Sequence, residues 1–312
     1  MSHIDKEDTT RGKPTYSPEI QETENIGNEF RSGFITLIGR PNVGKSSIIN
    51  KIMGEKISIT SKTPNTTRSP IRAVLDREGK QAIFVDTPGI HKPRSALGVR
   101  LNASAYEATT DVDITVLVLD ASKEIGKGDQ FISHSFAKQN NLIVCLNKID
   151  LVPERVVMSK LQFAHDHLGM EHAEYFAVSA QTGAGIKHFI DYIMDRLPLG
   201  PQYFPTGTTS DLDEVIFLAE LVREQLLRFV KEELPHSIAC RITELRWPYI
   251  RCEILVERES QKAMVISKNG HLLKQIGINV RRQLPPGTYL DLIVKVEKNW
   301  QKRLDVIERL GY

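Results

Sequence analysis

A glycine-rich segment near the start of the chain carries residue types that could hold a phosphate group. It reads GRPNVGKS over residues 39–46, with the spacing G-x-x-x-x-G-K-S. Glycines at these positions let backbone N–H groups wrap around a β-phosphate, and the lysine places a positive charge on the β- and γ-phosphates. The serine hydroxyl is a Mg²⁺ ligand in such loops. The predicted nucleotide contacts here are Asn42, Gly44, Lys45, Ser46 and Ser47.

Two further motifs follow in an order that indicates a guanine nucleotide. DTPG at 86–89 offers Asp86 for Mg²⁺ and the Gly89 N–H for a γ-phosphate. NKID at 147–150 ends in Asp150, whose carboxylate can accept two guanine donors that adenine lacks. The sequence therefore predicts GTP or GDP rather than ATP. The remaining predicted base contacts are Asn147, Lys148, Ser179 and Ala180.

A threonine-rich segment, TPNTTR at 63–68, is the candidate for switch I, the element that senses the γ-phosphate. A threonine there would close on Mg²⁺ and the γ-phosphate only when GTP is bound. The residues alone leave Thr66 and Thr67 open, and resemblance to related T-T-R switches favours Thr67. The predicted Mg²⁺ ligands are Ser46, Thr67 and Asp86, and the predicted catalytic residues are Lys45, Thr67 and Gly89.

The position that carries a water-orienting glutamine in many GTPases is Ile90 here. Slow intrinsic hydrolysis is therefore predicted, and His91 is expected to be an exposed switch residue without a catalytic role. Asn42 resembles an asparagine that helps some relatives to bind K⁺ beside the phosphates. K⁺ is thus a hypothetical second cofactor. The alternative is that Asn42 only braces switch I.

The elements that must position these motifs alternate along residues 33–197. Such alternation of short apolar runs with amphipathic stretches predicts a mostly parallel α/β sheet with helices on both faces. Two runs, 71–76 and 81–85, flank a turn and predict one antiparallel edge strand. The other predicted strands are 34–38, 114–119, 142–146 and 175–178.

A segment rich in proline and glycine, 198–210, predicts a linker to a second domain at 211–312. A long helix is expected there, capped by Asp211 or Asp213 and stopped by Pro235. The predicted elements after this helix are strands at 237–244 and 251–257, a helical turn at 261–266, a helix at 272–284, a strand at 289–296 and a helix ending near 310. Trp247 and Trp300 are expected to pack between helix and sheet.

The charge of the second domain is uneven, although the whole chain is nearly neutral at +2. Residues 258–303 contain ten basic and three acidic side chains, a local excess of the kind that binds a phosphate backbone. Residues 264–277 look like the core of a KH domain, where a tight G-x-x-G loop lets single-stranded nucleic acid approach the backbone. With the α-β-β-α-α-β order, this resembles a smaller α+β, type II KH domain.

The KH resemblance implies which residues contact RNA. Ser267 stands in place of the first loop glycine, while Gly270 matches. Serine can form the turn if its φ is negative. If the loop requires a positive φ at this position, RNA binding would be weaker. The implied RNA contacts are Lys262, Ser267, Lys268, Asn269, Gly270, Lys274, Arg281 and Arg282.

An α/β P-loop GTPase domain followed by a KH domain closely resembles the bacterial Era family, which also shares the VERESQK segment and the terminal LGY. The resemblance implies a GTP-hydrolysing switch, dependent on Mg²⁺, that binds the 3′ end of 16S ribosomal RNA during assembly of the 30S subunit. It also implies a cytoplasmic monomer, with peripheral association at the inner face of the cell membrane. The alternative is an RNA-binding scaffold that holds GTP with little useful hydrolysis. A tRNA-modification GTPase would need a terminal catalytic cysteine, and the last cysteine is Cys252.

Composition excludes several other classes of protein. No apolar run reaches the roughly 18 residues of a membrane-spanning helix. Three cysteines without C-x-x-C spacing argue against a disulfide framework or a zinc site. The polar, acidic segment 1–32 has no apolar core of a signal peptide, and it is predicted to be a disordered extension.

Overall fold

The computed structural model describes residues 30–61, 63, 66–92, 96–230 and 234–310. The first part of the chain forms a six-stranded sheet in the order β2-β3-β1-β4-β5-β6. All neighbouring strands are parallel except β2 and β3, which form the predicted antiparallel pair at one edge. The strands are β1 (Arg31–Ile38), β2 (Ile71–Arg77), β3 (Lys80–Asp86), β4 (Ile114–Asp120), β5 (Leu142–Asn147) and β6 (Glu174–Ala177).

Five helices cover both faces of this sheet, so the central strands are buried along most of their length. One face packs against α1 and α5, through residues such as Ile48 and Phe189. The other packs against α3 and α4, through residues such as Ile132 and Ala164. The helices are α1 (Lys45–Met53), α2 (Ala96–Glu107), α3 (Lys127–Phe136), α4 (Glu154–His167) and α5 (Ile186–Asp195). The predicted α/β class is confirmed.

The strand β1 begins earlier than the sequence predicts. Arg31 and Ser32, assigned by pattern to the extension 1–32, pair with Lys80 and Gln81 in the sheet. The Arg31 side chain also donates to the Leu197 carbonyl oxygen at 2.8 Å, which anchors the first strand residue. Residues 1–29, the rest of the predicted extension, lie outside the described residues.

The predicted linker runs along the antiparallel edge of the sheet and is held there by hydrogen bonds. Gln81 accepts from the N–H groups of Tyr203 and Phe204, and Val74 N donates to the Thr209 carbonyl oxygen at 3.0 Å. Asp211 makes the last contact of this segment with the sheet. Its two carboxylate oxygens accept from the backbone N–H and the guanidinium of Arg72, each at 2.9 Å.

The second part of the chain has the α-β-β-α-α-β order of a type II KH domain, followed by a short terminal helix. Its sheet order is β7-β8-β9, antiparallel between β7 and β8 and parallel between β8 and β9. The strands are β7 (Ala239–Arg246), β8 (Tyr249–Val256) and β9 (Tyr289–Val296). The helices are α6 (Glu214–Phe229), α7 (Leu234–Ser237), α8 (Glu259–Ile266), α9 (His271–Arg281) and α10 (Leu304–Arg309).

Two details of the second domain differ from expectation. Helix α6 starts at the Asp213 cap, whose carboxylate accepts from Val215 N at 2.7 Å, but it ends at Phe229 and not at Pro235. Pro235 instead lies in the first turn of α7, where its missing N–H costs no hydrogen bond. Trp247 lies in the β7–β8 turn and is 45% exposed, whereas Trp300 is fully buried. The packing expectation was therefore wrong for Trp247 and is confirmed for Trp300.

Among the helices described, none combines the length and the apolar character that crossing a bilayer requires.

Candidate nucleotide-binding and RNA-binding sites

A cleft of about 1390 Å³ opens at the carboxyl ends of the parallel strands. Open α/β sheets place their ligand sites at this edge. Eight of the residues predicted from the motifs line the cleft: Asn42, Gly44, Lys45, Ser46, Ser47, Thr67, Gly89 and Lys148. The cleft is also lined by side chains of the second domain, among them Arg223 and Gln301. No sequence motif predicted that the second domain would line the cleft.

The phosphate loop has the backbone geometry that its sequence predicts. Gly39, Asn42 and Gly44 have positive φ values of 148°, 66° and 103°. A Cβ atom on Gly44 would lie 2.2 Å from Asn147 Nδ2, so only glycine fits there. Helix α1 begins at Lys45 directly after the loop, and its N-terminal N–H groups and dipole favour an anion in the cleft.

Three oxygen-bearing side chains meet at the base of the cleft. Ser46 Oγ donates to Asp86 Oδ2 at 2.6 Å, and Thr67 Oγ1 lies 3.1 Å from Ser46 Oγ and 3.3 Å from Asp86 Oδ2. Thr66 instead donates to the Thr63 carbonyl oxygen at 2.8 Å. Of the two threonines that the sequence left open, the structure brings Thr67 to this cluster. Pro64 and Asn65 of the predicted switch lie outside the described residues.

This cluster fits a magnesium ion. Asp86 is fully buried, and its Oδ1 atom has no hydrogen-bond partner among the described residues. Burial raises the pKa of the Asp86 carboxyl, although the hydrogen bond from Ser46 and the charge of Lys45 oppose that shift. Two hydroxyls and a carboxylate are the hard oxygen ligands that Mg²⁺ prefers, and a cation would satisfy the buried oxygen.

Lys45 is buried beside this cluster, and its amine donates to the Gly39 carbonyl oxygen at 3.3 Å. Burial lowers the pKa of Lys45 to about 8, against the opposing charge of Asp86. A bound phosphate chain would add negative charge beside this amine and favour its protonated form.

This pKa predicts how GTP binding depends on pH. Above pH 8 the free amine loses its proton, while phosphates in the complex keep it charged, so binding must take up a proton. We expect GTP affinity to fall by about tenfold per pH unit above pH 8. Fluorescence titrations between about pH 7 and 9 measure this, with guanosine, which has no phosphate, as the control ligand. An equal pH dependence for guanosine and GTP would contradict the assignment to Lys45.

The segment that follows β3 approaches the phosphate loop closely. A Cβ atom on Gly89 would lie 2.8 Å from both the Cα and the N atom of Pro41. Ile90 is buried in the core, so no polar side chain at this position faces the cleft. The expectation of an exposed His91 is wrong. It is half-buried, its Nδ1 lies 3.0 Å from the Gly89 carbonyl oxygen, and Asn102 donates to its carbonyl oxygen at 2.6 Å.

The NKID residues form a network with the phosphate loop. Asn147 Nδ2 donates to the Val43 carbonyl oxygen at 3.0 Å, and Lys148 Nζ donates to the Asn42 carbonyl oxygen at 2.6 Å. Lys148 also pairs with Asp120 at 2.6 Å. Burial would raise the pKa of Asp120, but hydrogen bonds from Lys148 and Ser122 outweigh it and lower the pKa. Sequence reasoning missed Asp120, whose only signal was its place at the end of β4.

The remaining predicted base contacts lie beside the cleft rather than along its lining. Ser179 Oγ donates to Asp150 Oδ1 at 2.5 Å, which fixes this exposed carboxylate. The Ala180 N–H donates to Asn147 Oδ1 at 3.1 Å. The structure therefore brings these four residues into one connected group.

The loop between α8 and α9 contains Ser267, whose φ the sequence left undecided. Ser267 has φ 62° and ψ 178°, a region that is almost restricted to glycine. Its hydroxyl accepts from Leu272 N at 2.9 Å, in the first turn of α9. The loop thus has the positive φ for which weaker RNA binding was predicted. Lys268 and Asn269 are exposed at its tip, and Gly270 has φ 69°.

Of the five basic side chains among the predicted RNA contacts, Lys268 lies in the loop, Lys262 on α8, Lys274 and Arg281 on α9, and Arg282 directly after α9. Lys274, Arg281 and Arg282 are exposed and Lys262 is half-exposed, and none of them forms an ion pair with another described residue. Lys295 and Arg303, by contrast, are paired with Glu253 and with Glu297 and Asp305. The unpaired positive charge therefore lies along α8, the loop and α9, and also at the exposed Lys298 and Lys302 after β9.

Two substitutions at Ser267 separate backbone strain from the hydrogen bond. Ser267→Ala keeps the strained backbone and loses the bond to Leu272, whereas Ser267→Gly loses the same bond and relieves the strain. We expect the glycine variant to be more stable than the alanine variant by about 1–2 kcal/mol. Urea unfolding followed by circular dichroism measures this, and an alanine variant as stable as the glycine variant would contradict the strain.

Comparisons with known proteins agree with this geometry. The family described as "50S ribosome-binding GTPase" matches residues 34–148, and the KH domain family matches residues 233–301. GTPase Era of Mycobacterium leprae is 43% identical over 299 residues, covering 91% of this chain and 99% of that protein. GTPase Era of Carboxydothermus hydrogenoformans is 37% identical over 294 residues, covering 91% of this chain and 98% of that protein.

Solved structures give the same result. A crystal structure of Era in complex with MgGDPNP and nucleotides 1506–1542 of 16S ribosomal RNA superimposes with a TM-score of 0.85 at 33% identity, covering 91% of this chain and 99% of the other. An Aquifex aeolicus Era variant bound to GDP and AlF4⁻ has the same TM-score, identity and coverage. The chain therefore belongs to the Era family and is a GTPase with a C-terminal KH domain.

Proposed function

We propose that this GTPase binds the 3′-terminal segment of 16S ribosomal RNA through its KH domain and acts as a GTP-controlled switch in assembly of the 30S subunit. The observation that carries the proposal is its likeness, over both domains, to an Era structure described as holding MgGDPNP and 16S ribosomal RNA. The exposed basic residues beside the α8–α9 loop and the oxygen cluster at the phosphate loop support it from this chain's own side chains.

The predicted site residues have separate roles in nucleotide binding and hydrolysis. Lys45 contacts the β- and γ-phosphates, the Gly89 N–H donates to the γ-phosphate, and Thr67 closes over it. Ser46, Thr67 and Asp86 would hold Mg²⁺, which supplies positive charge to the phosphate oxygens when bound. Asp150 selects guanine, and Asn147, Lys148, Ser179 and Ala180 hold the base loop in place. Asn42, Gly44 and Ser47 complete the cradle around the phosphates.

The GTPase domain comprises the predicted residues 33–197 together with Arg31 and Ser32 of β1, and the linker 198–210 joins it to the KH domain at 211–312. RNA phosphates approach the α8–α9 loop at Ser267, Lys268, Asn269 and Gly270. Lys262, Lys274, Arg281 and Arg282 supply positive charge along the same surface. We also propose that the protein is a cytoplasmic monomer with peripheral association at the inner face of the cell membrane.

A monovalent cation is part of the proposed mechanism. Ile90 offers no polar group, so the negative charge that develops on the phosphates must be stabilised by another group. Asn42, at the edge of the cleft, would help to hold K⁺ there. We expect GTP turnover to be roughly tenfold faster in KCl than in NaCl at equal ionic strength. Equal rates in the two salts would remove K⁺ from the mechanism.

The experiment that tests the proposed function measures multiple-turnover GTP hydrolysis with and without a single-stranded RNA of the 16S 3′-terminal sequence. RNA of scrambled sequence and equal length is the control. We expect the cognate RNA to stimulate GTP hydrolysis and the scrambled RNA to have no effect. Hydrolysis without any RNA response would overturn the ribosomal role, and RNA binding without turnover would favour the scaffold alternative.

A further inference from the structure

The KH domain contacts the switch segment of the GTPase domain directly. Three consecutive buried side chains on α6, namely Arg223, Glu224 and Gln225, are at most 1% exposed, although their types are normally found at surfaces. Charged groups are buried in this way only when they are paired or hydrogen-bonded. Arg223 and Glu224 meet part of this need with atoms of residues 56–66 in the other domain.

Glu224 binds the chain just before the switch segment at two points. Its Oε1 accepts from the Thr60 N–H at 3.0 Å, and its Oε2 pairs with Lys56 Nζ at 2.5 Å. Lys56 also donates to Gln283 Oε1 beyond the end of α9, at 2.7 Å. One buried carboxylate therefore fixes both a backbone amide and a side chain there.

Arg223 binds the switch segment itself, immediately before Thr67. Its Nη2 donates to the Thr66 carbonyl oxygen, and Glu220 holds the guanidinium in place from the preceding helical turn. On the other side of Thr67, the Arg68 guanidinium lies over the ring of Trp300, 5.5 Å from its centroid. The KH domain thus contacts the residues on both sides of the threonine that reaches Ser46 and Asp86.

We propose that Arg223 and Glu224 are positioning residues for GTP hydrolysis, because they hold Thr60 and Thr66 where Thr67 can reach the magnesium and γ-phosphate site. The inference rests on the proposed GTPase cycle. It assigns part of the switch machinery to the KH domain. By linkage, whatever favours this docking of α6 favours GTP over GDP, since only the γ-phosphate requires Thr67.

The test compares the affinities of Mg²⁺ complexes of a non-hydrolysable GTP analogue and of GDP in the full-length protein. Glu224→Ala removes both contacts, and Glu224→Gln keeps an acceptor for Thr60 but removes the charge opposite Lys56. We expect the alanine variant to lower the analogue-to-GDP affinity ratio by about tenfold. The glutamine variant should fall between alanine and wild type, and GDP affinity should stay within about twofold.

A matched control separates positioning from loss of stability. Glu253 is another buried glutamate of the KH domain, and it pairs with Arg241 and Lys295 of the same domain. Glu253→Gln should leave the affinity ratio unchanged. Hydrogen exchange of residues 56–63 and 66–68 gives a second readout, and only the Glu224 variants should lose protection there when the analogue is bound.

The outcomes are distinguishable. If wild-type protein hydrolyses GTP but Glu224→Ala keeps the wild-type ratio and exchange, the inference is overturned and the proposed function stands. If Glu253→Gln lowers the ratio as much as Glu224→Ala, the effect is general destabilisation and the inference is again overturned. If wild-type protein neither hydrolyses GTP nor distinguishes the two nucleotides, both fail.

Discussion

Replacing Asp150 by asparagine is expected to lower the affinity for GTP by roughly two to three orders of magnitude. The carboxylate is fixed by Ser179 at 2.5 Å and ends the loop that Asn147 and Lys148 tie to the phosphate loop. An amide at this position offers one acceptor where guanine presents two donors, so one buried donor remains unpaired. The same amide can donate to the extra carbonyl of xanthine. Xanthosine triphosphate should therefore bind the variant better than GTP.

Competition against a fluorescent guanine nucleotide measures both affinities. Glu154→Gln is the matched control, because it removes an exposed carboxylate four residues further along the chain, in the first turn of α4. It should leave the preference for GTP unchanged. An Asp150→Asn protein that binds GTP as tightly as wild type would show that this carboxylate does not read the base.

Replacing Gly89 by alanine is expected to lower kcat for GTP hydrolysis by about a hundredfold. The added Cβ atom would lie 2.8 Å from backbone atoms of Pro41, which is too close for the phosphate loop and the DTPG segment to keep their present separation. The Gly89 N–H then moves away from the γ-phosphate position. GDP has no γ-phosphate, so its affinity should change little.

Gly126→Ala is the control for this second substitution. Gly126 has φ −118°, and a Cβ atom added there would have no atom within 4 Å, so alanine fits without strain. Single-turnover hydrolysis and GDP titration together check the prediction. A Gly89→Ala protein with wild-type kcat, or one whose GDP affinity falls as far as its kcat, would contradict the proposed role.

The strands and the motifs at their ends could be predicted because both are local. Apolar runs define β1, β4 and β5, and the chemistry of GRPNVGKS or NKID is contained in a few adjacent residues. The choice between Thr66 and Thr67 could not be made from spacing, since neighbouring residues point in different directions. That choice depends on how the switch lies against Ser46 and Asp86.

The contacts that sequence reasoning missed join residues far apart in the chain. Glu224 meets Thr60 across 164 positions, and Arg223 meets Thr66 across 157. An amphipathic helix pattern does not reveal which of its polar residues will be buried by another domain. Ser267 is a different case, because a serine carries no signal of positive φ. Only the fold of the loop determines that φ is positive at this residue.

The hydrogen bonds that hold residues 199–211 along the sheet have a mechanical consequence. Because Asp211 is fixed to Arg72 and α6 is capped by Asp213, any rotation of the KH domain that leaves these bonds intact must pivot at Leu212 and its flanking bonds. The tether, meaning the chain between the two fixed residues that can still rotate, is then only about two residues or roughly 7 Å long. A tether this short keeps α6 at a high effective concentration next to the switch. Re-docking after each cycle of hydrolysis is thus a local event rather than a diffusive search.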